Sequence, residues 1–107
     1  MTRKFVHTKP FDKQWVLLGG NDDSLGKLQH MIQKDPTAHP VIKGTGGVRK
    51  MRFSLSNTGK SGGIRVIYSD FPERGKVLLI KVYSKHEQED LTESEIKTIK
   101  RLSQEPT

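Results

Sequence analysis

Residues able to act on a phosphate gather in the second half of the chain. Gly59-Lys60-Ser61 has the ending of a nucleotide-cradling loop, but that loop needs Gly, four residues and then Gly-Lys-Ser/Thr. Counting back, the place of the first glycine holds Ser54. Such a loop must also open a helix whose N-terminal amides hold the phosphates. Here Ile64-Arg65-Val66-Ile67-Tyr68 follows instead, a β-branched and aromatic run that reads as a strand. With a strand on either side, the glycine-rich segment reads as a hairpin loop and not as a site for splitting ATP or GTP.

The remaining cations are better placed. Side chains of a strand alternate between its faces. In "VRKMRFSL", Met51, Phe53 and Leu55 therefore share one face and Lys50 and Arg52 the other. The two cations stand about 7 Å apart, near the spacing of successive phosphates. Arg65 sits inside an apolar run with no acid adjacent in its strand. A guanidinium there needs an ion-pair partner or a wet cleft, and the cleft is the reading that gives it work. Lys85 and His86 follow the strand "VLLIKVYS" and precede the last helix, where functional side chains often collect. The four histidines, at 7, 30, 39 and 86, lack any zinc-binding spacing. His7 and His39 read as surface or loop residues and His30 as a helix-face residue. His86 stands out through its neighbours Lys85, Glu87, Glu89 and Asp90.

These residues need a scaffold, and the pattern supplies one. "KFVHT" at 4–8 is a short strand. Pro10 opens a helix bearing Phe11, Trp15 and Leu18, which Gly19-Gly20 stops. A second helix, capped by Asp22, Asp23 or Ser24, puts Leu25, Leu28, Met31 and Ile32 on its apolar side and ends at Asp35-Pro36. A connector containing Gly44, Gly46 and Gly47 leads to strands at 48–55, 63–70 and 77–84. The last two are joined by "FPERGK", with Gly75 free for positive φ. "TESEIKTIKRL" closes the chain as a helix with a Thr92/Glu95 capping box and an Ile96, Ile99, Leu102 stripe. The order β-α-α-β-β-β-α predicts a single α+β domain over 1–107, a helical hairpin packed on a largely antiparallel sheet. Phe5, Phe11, Trp15 and Phe71 read as core. Nineteen Lys and Arg against twelve Asp and Glu leave a net charge of +7. That favours a polyanionic partner: nucleic acid first, an acidic protein second, a membrane surface third. Without cysteine there are no disulfides or thiolate metal sites, which suits a reducing cytoplasm. The charged start "MTRKFVHTK" and the shortness of every apolar run argue against a signal peptide and a membrane span.

Three segments together, "GTGGVRKMR" at 44–52, "GKSGGIRVIY" at 59–68 and "VYSKHEQEDL" at 82–91, resemble the RelE/ParE toxin superfamily, in particular its HigB-like branch. The resemblance spans roughly residues 3–102. It implies a RelE-like fold and the toxin of a type II toxin–antitoxin pair, with a cognate antitoxin as partner. It further implies a ribosome-dependent endoribonuclease that cuts mRNA without metal or other cofactor and so inhibits translation. Carried over, the family's strand arginine falls on Arg65, its preceding basic residues on Arg49, Lys50 and Arg52, and its late basic residue on Lys85, with His86 beside it. Arg65, Lys85 and His86 are then the catalytic candidates, and Arg49, Lys50, Arg52 and the loop residue Lys60 the RNA-binding ones. Two departures from RelE proper, His86 in place of a second arginine and Thr92 near the place of a tyrosine, leave the general acid and base open. The ParE-like branch poisons DNA gyrase instead, so a non-catalytic inhibitor of a protein target, or a plain nucleic-acid-binding module, is the alternative.

Overall fold

The computed structural model describes residues 2–55, 63–88 and 90–104; Lys60 lies outside them. The chain runs β1 (Lys4–His7), α1 (Lys9–Leu17), α2 (Asp22–Lys34), β2 (Arg49–Ser54), β3 (Gly63–Phe71), a 3-10 turn (Pro72–Arg74), β4 (Lys76–Ser84) and α3 (Glu93–Ser103). The four strands form one sheet in the order β1-β4-β3-β2. β2, β3 and β4 are antiparallel neighbours and β1 lies parallel to β4, so the predicted α+β class and element order hold.

Local chemistry explains most of the element ends. Thr8 caps α1 by accepting from the Phe11 amide, with Pro10 in the first turn where a missing N–H costs nothing. Gly20 then passes under the Trp15 indole, where a Cβ would lie 2.4 Å from the ring. The cap of α2 differs from the expectation. Asn21 takes it, in a reciprocal pair with Ser24, which moves Asp22 and Asp23 into the first turn, where their charges favour the helix dipole. Thr92 and Glu95 form the expected box on α3. Gly44, Gly46 and Gly47 all have positive φ. They turn the chain so that residues 40–42 fold back along β2, with Ile42 N–H donating to Val48 O at 2.7 Å.

The sheet has a core on each face. Phe11, Trp15, Leu28 and Ile32 from the helical hairpin bury against Met51, Phe53, Val66, Tyr68 and Val82. On the other face Ile99 of α3 packs on Ile67, Leu78, Ile80 and Tyr83. Met31, expected in the apolar stripe of α2, is instead 45% exposed. Three residues on from Leu28, it lies at the stripe's edge, turned toward the end of β2 and not onto the sheet. His7 is also less peripheral than its sequence suggested. Its Nδ1 lies 2.9 Å from Asp12 Oδ1 and its Nε2 3.3 Å from the Gln29 amide nitrogen, tying β1 to both helices.

One irregularity positions the site. Between the pairs Ile67–Lys81 and Tyr68–Leu79, β4 carries an extra residue. Such a bulge reverses the inside–outside alternation beyond it. Leu78 and Ile80 face α3, and the slip lets Tyr83 face α3 as well while Val82 joins the hairpin-side core.

Candidate RNA-binding cleft

α3 covers only part of its face of the sheet. The rest, formed by β2 and the start of β3, is open and basic. Arg52 and Arg65 are direct partners across the β2–β3 ladder, and Arg65 is in turn the partner of Tyr83 on β4. Like charges placed directly opposite on a sheet cost stability, and neither arginine has an ion-pair partner among the described residues. Arg65 forms no ion pair among them; its one hydrogen bond is a long one, Nη1 to Ile64 O at 3.4 Å. The guanidinium folds back toward Gly63, where even a Cβ would come within 3.3 Å of Nη1.

Lys85 reaches the same place from the end of β4. Its amide donates to Gly63 O at 3.2 Å, fastening it beside the start of β3. The chain then turns tightly: the Glu87 and Gln88 amides both donate to Ser84 O, and the His86 amide to Ser84 Oγ. The Gln88 side chain pins this turn to α3, donating to Asp90 O and to Glu95 Oε1. Burial pushes the Glu95 carboxyl up, but hydrogen bonds from the Thr92 amide, Lys81 and Gln88 outweigh it and hold the group below its ordinary value.

Arg52, Arg65 and Lys85 line two adjoining hollows. One, of about 640 Å3, adds His86, Ser54 and Gly63. The other, of about 580 Å3, adds Lys50, His39 and Asp90. Asp90 stands 3.8 Å from Lys50 Nζ, an exposed pair of small energetic weight. Five of the predicted residues thus converge: Lys50, Arg52, Arg65, Lys85 and His86. Arg49 does not join them. It shares its side of β2 with Met51, and its guanidinium donates to Thr37 O and His39 O, tying down the connector before β2. Ser54, Gly63, His39 and Asp90 were not singled out as site residues. Ser54 and Gly63 are ladder partners at the open end of β2–β3, a placement that no local pattern reveals. No group of three or more His, Asp or Glu suited to a metal occurs among the described residues.

Tyr83, the cross-strand partner of Arg65, is 4% exposed, and its hydroxyl has no hydrogen-bond partner among the described residues. Burial raises its pKa, against the opposing charge of Arg65.

This architecture has known counterparts. No family model matches the chain. Among solved structures it is similar to a mutant of the Escherichia coli RelE toxin in the free state, in which two arginines are replaced by alanine, at 20% identity and a TM-score of 0.64, covering 92% of this chain and 97% of that one. It is similar to the isolated E. coli RelE toxin at 21% identity and a TM-score of 0.58, covering 94% and 99%. The conserved hypothetical protein HP0892 of Helicobacter pylori matches at 20% identity and a TM-score of 0.55, covering 81% and 98%. The fold is therefore RelE-like. No helix among the described residues is long and apolar enough to cross a membrane.

Proposed function

We propose that this protein is the toxin of a type II toxin–antitoxin pair, of the HigB-like branch, and that it arrests translation in the cytoplasm by cutting mRNA on the ribosome. The observation that carries this reading is the opposition of Arg52 and Arg65 on an open sheet face, joined by Lys50 and Lys85. Cations held together at a cost in stability are relieved by a polyanion. The RelE-like fold, spanning nearly the whole chain, supports a toxin. A cognate antitoxin that covers the cleft with carboxylates is the expected partner.

The chemistry is transfer of a phosphoryl group within the RNA. The 2′-oxygen attacks the neighbouring phosphorus and loses its proton to a base. The bond to the 5′-oxygen breaks and that oxygen takes a proton, leaving a 2′,3′-cyclic phosphate and a 5′-hydroxyl. Negative charge gathers on the phosphoryl oxygens in the transition state, and Arg65 is the group assigned to stabilise it. Lys85 shares that load or moves a proton, and His86 serves as acid or base. Lys50 and Arg52 hold the backbone.

Two measurements test the reading. Purified ribosomes programmed with an mRNA should yield cuts that carry a 2′,3′-cyclic phosphate and persist in EDTA. Pulse labelling after expression should show translation stopping before DNA synthesis. Blocked replication with protein synthesis continuing would move the assignment to a gyrase-directed toxin, and intact mRNA on arrested ribosomes to a binding module.

A further inference from the structure

The basic cleft does not end at β2. Past Met31, Phe53 and Ser54, which line its nearer hollow, a third hollow of about 810 Å3 continues along α2. Lys27, His30 and Asp23 stand along its helical wall. Its floor is the almost buried Phe53, and beside it Met31 is one of few large apolar side chains exposed among the described residues. An apolar floor with a lysine on its rim, opening from a polycationic cleft, suits a nucleotide: a face to stack on and a phosphate to hold.

Gly26 provides an independent observation. It lies inside α2, where glycine is among the poorest of residues for helix stability. Nothing explains it as packing, since a Cβ there would meet no atom within 4 Å. Its φ is not positive, so no turn requires it. Gly26 lines this hollow, so a long side chain at that position would project into it.

We propose that the groove along α2 is a subsite for the single-stranded RNA next to the cut, a base lying on Met31 and Phe53 and a phosphate near Lys27 and His30. From Met31 to Asp23 the helix rises about 12 Å, enough for a nucleotide beyond the scissile phosphate. The carboxylate of Asp23 marks the far end, where a further phosphate is disfavoured. The inference rests on the ribonuclease reading, whose phosphate site defines the neighbouring nucleotide.

The test uses fluorescent RNA oligonucleotides carrying a 2′-O-methyl group at every position to block cutting, in a short form and one extended at both ends. Wild-type protein should bind the extended form about tenfold more tightly. Gly26→Gln fills the wall and Lys27→Gln removes the charge on its rim; each should lose most of that increment while binding the short form unchanged. Gly26→Gln should also melt at or above the wild-type temperature, because glutamine is the better helix former, so loss of binding cannot be laid to misfolding. An increment absent from wild type, or unchanged in both variants, overturns the subsite, the second result leaving the groove to a protein partner. Failure of wild type to cut mRNA on ribosomes would instead sink the nuclease assignment, and the length increment would still report on the groove.

Discussion

Arg65→Met separates what the cleft costs from what it does. Methionine keeps the stem of the side chain on β3 and removes only the guanidinium. In the folded protein that group faces Arg52 across the ladder and makes one long bond to the adjacent carbonyl. Relieving a directly opposed like-charge pair returns about 0.2–1 kcal/mol, and the lost bond offsets little of it. For a chain of this size the melting temperature should then rise by up to about 4–8 °C. Catalysis should move the other way. A preorganised donor aimed at charge that develops in the transition state is worth about 2.7–4 kcal/mol, a loss of about a hundredfold or more in rate. Affinity for the ribosome should change far less, because Lys50, Arg52 and Lys85 remain. The assay is single-turnover cleavage of ribosome-bound mRNA at saturating protein, beside thermal melting of the same preparation. A cleavage rate within a few-fold of wild type would refute the role given to Arg65. A fall in melting temperature would refute the claim that its charge is unpaid for inside the fold.

Gly63→Ala should leave stability unchanged and lower cleavage several-fold, because the added Cβ displaces the Arg65 guanidinium by a few tenths of an ångström; an unaltered rate would show that the guanidinium already sits elsewhere when it acts. Tyr83→Phe removes a buried hydroxyl without a partner among the described residues and should stabilise the protein by up to about 1 kcal/mol in urea unfolding, whereas destabilisation would mean that the phenol has a partner in solution. Lys50→Ala and Arg52→Ala should each lower the salt dependence of RNA binding by about 0.7 in log–log slope, the value for single strands. Glu95 is held below its unfolded pKa, so the stability it gives is full above about pH 4.3 and is lost as pH falls through its folded value. Amide protection factors in α3, which allow for the slower intrinsic exchange in acid, should fall over that range, and Glu95→Gln should flatten the dependence.

What could be read in the sequence was whatever a strand or helix decides within its own length. The alternation of Met51, Phe53 and Leu55 against Lys50 and Arg52 needs only the two-residue period, and it placed both cations on the face where they are found. The capping box of α3 and the turn at Gly75 are equally local. The errors and omissions share one cause, which is that the answer depends on a second element. Asp22 and Asp23 are both good caps; Asn21 wins because its side chain and that of Ser24 satisfy each other's amides. Met31 fits the apolar period of α2, yet at that point no sheet stands opposite it, and it borders the cleft instead. Arg49 is as basic as its neighbours but faces the other way, where the carbonyls of Thr37 and His39 claim it.

The bulge in β4 is the least local feature and matters most for the site. It is invisible in "VLLIKVYS", which reads as an unbroken strand. Unbulged, that strand would keep one alternation throughout and turn Tyr83 toward the helical hairpin. The extra residue puts Tyr83 and Arg65 side by side under the open face. It also sets the face from which β4 hands the chain to Lys85 and His86. The regular β2–β3 ladder sets Lys50, Arg52 and Arg65 on that face, and the slip at Ile80 fixes how the end of β4 brings Lys85 and His86 to them. Residue types alone marked them as candidates; their convergence is a property of the sheet.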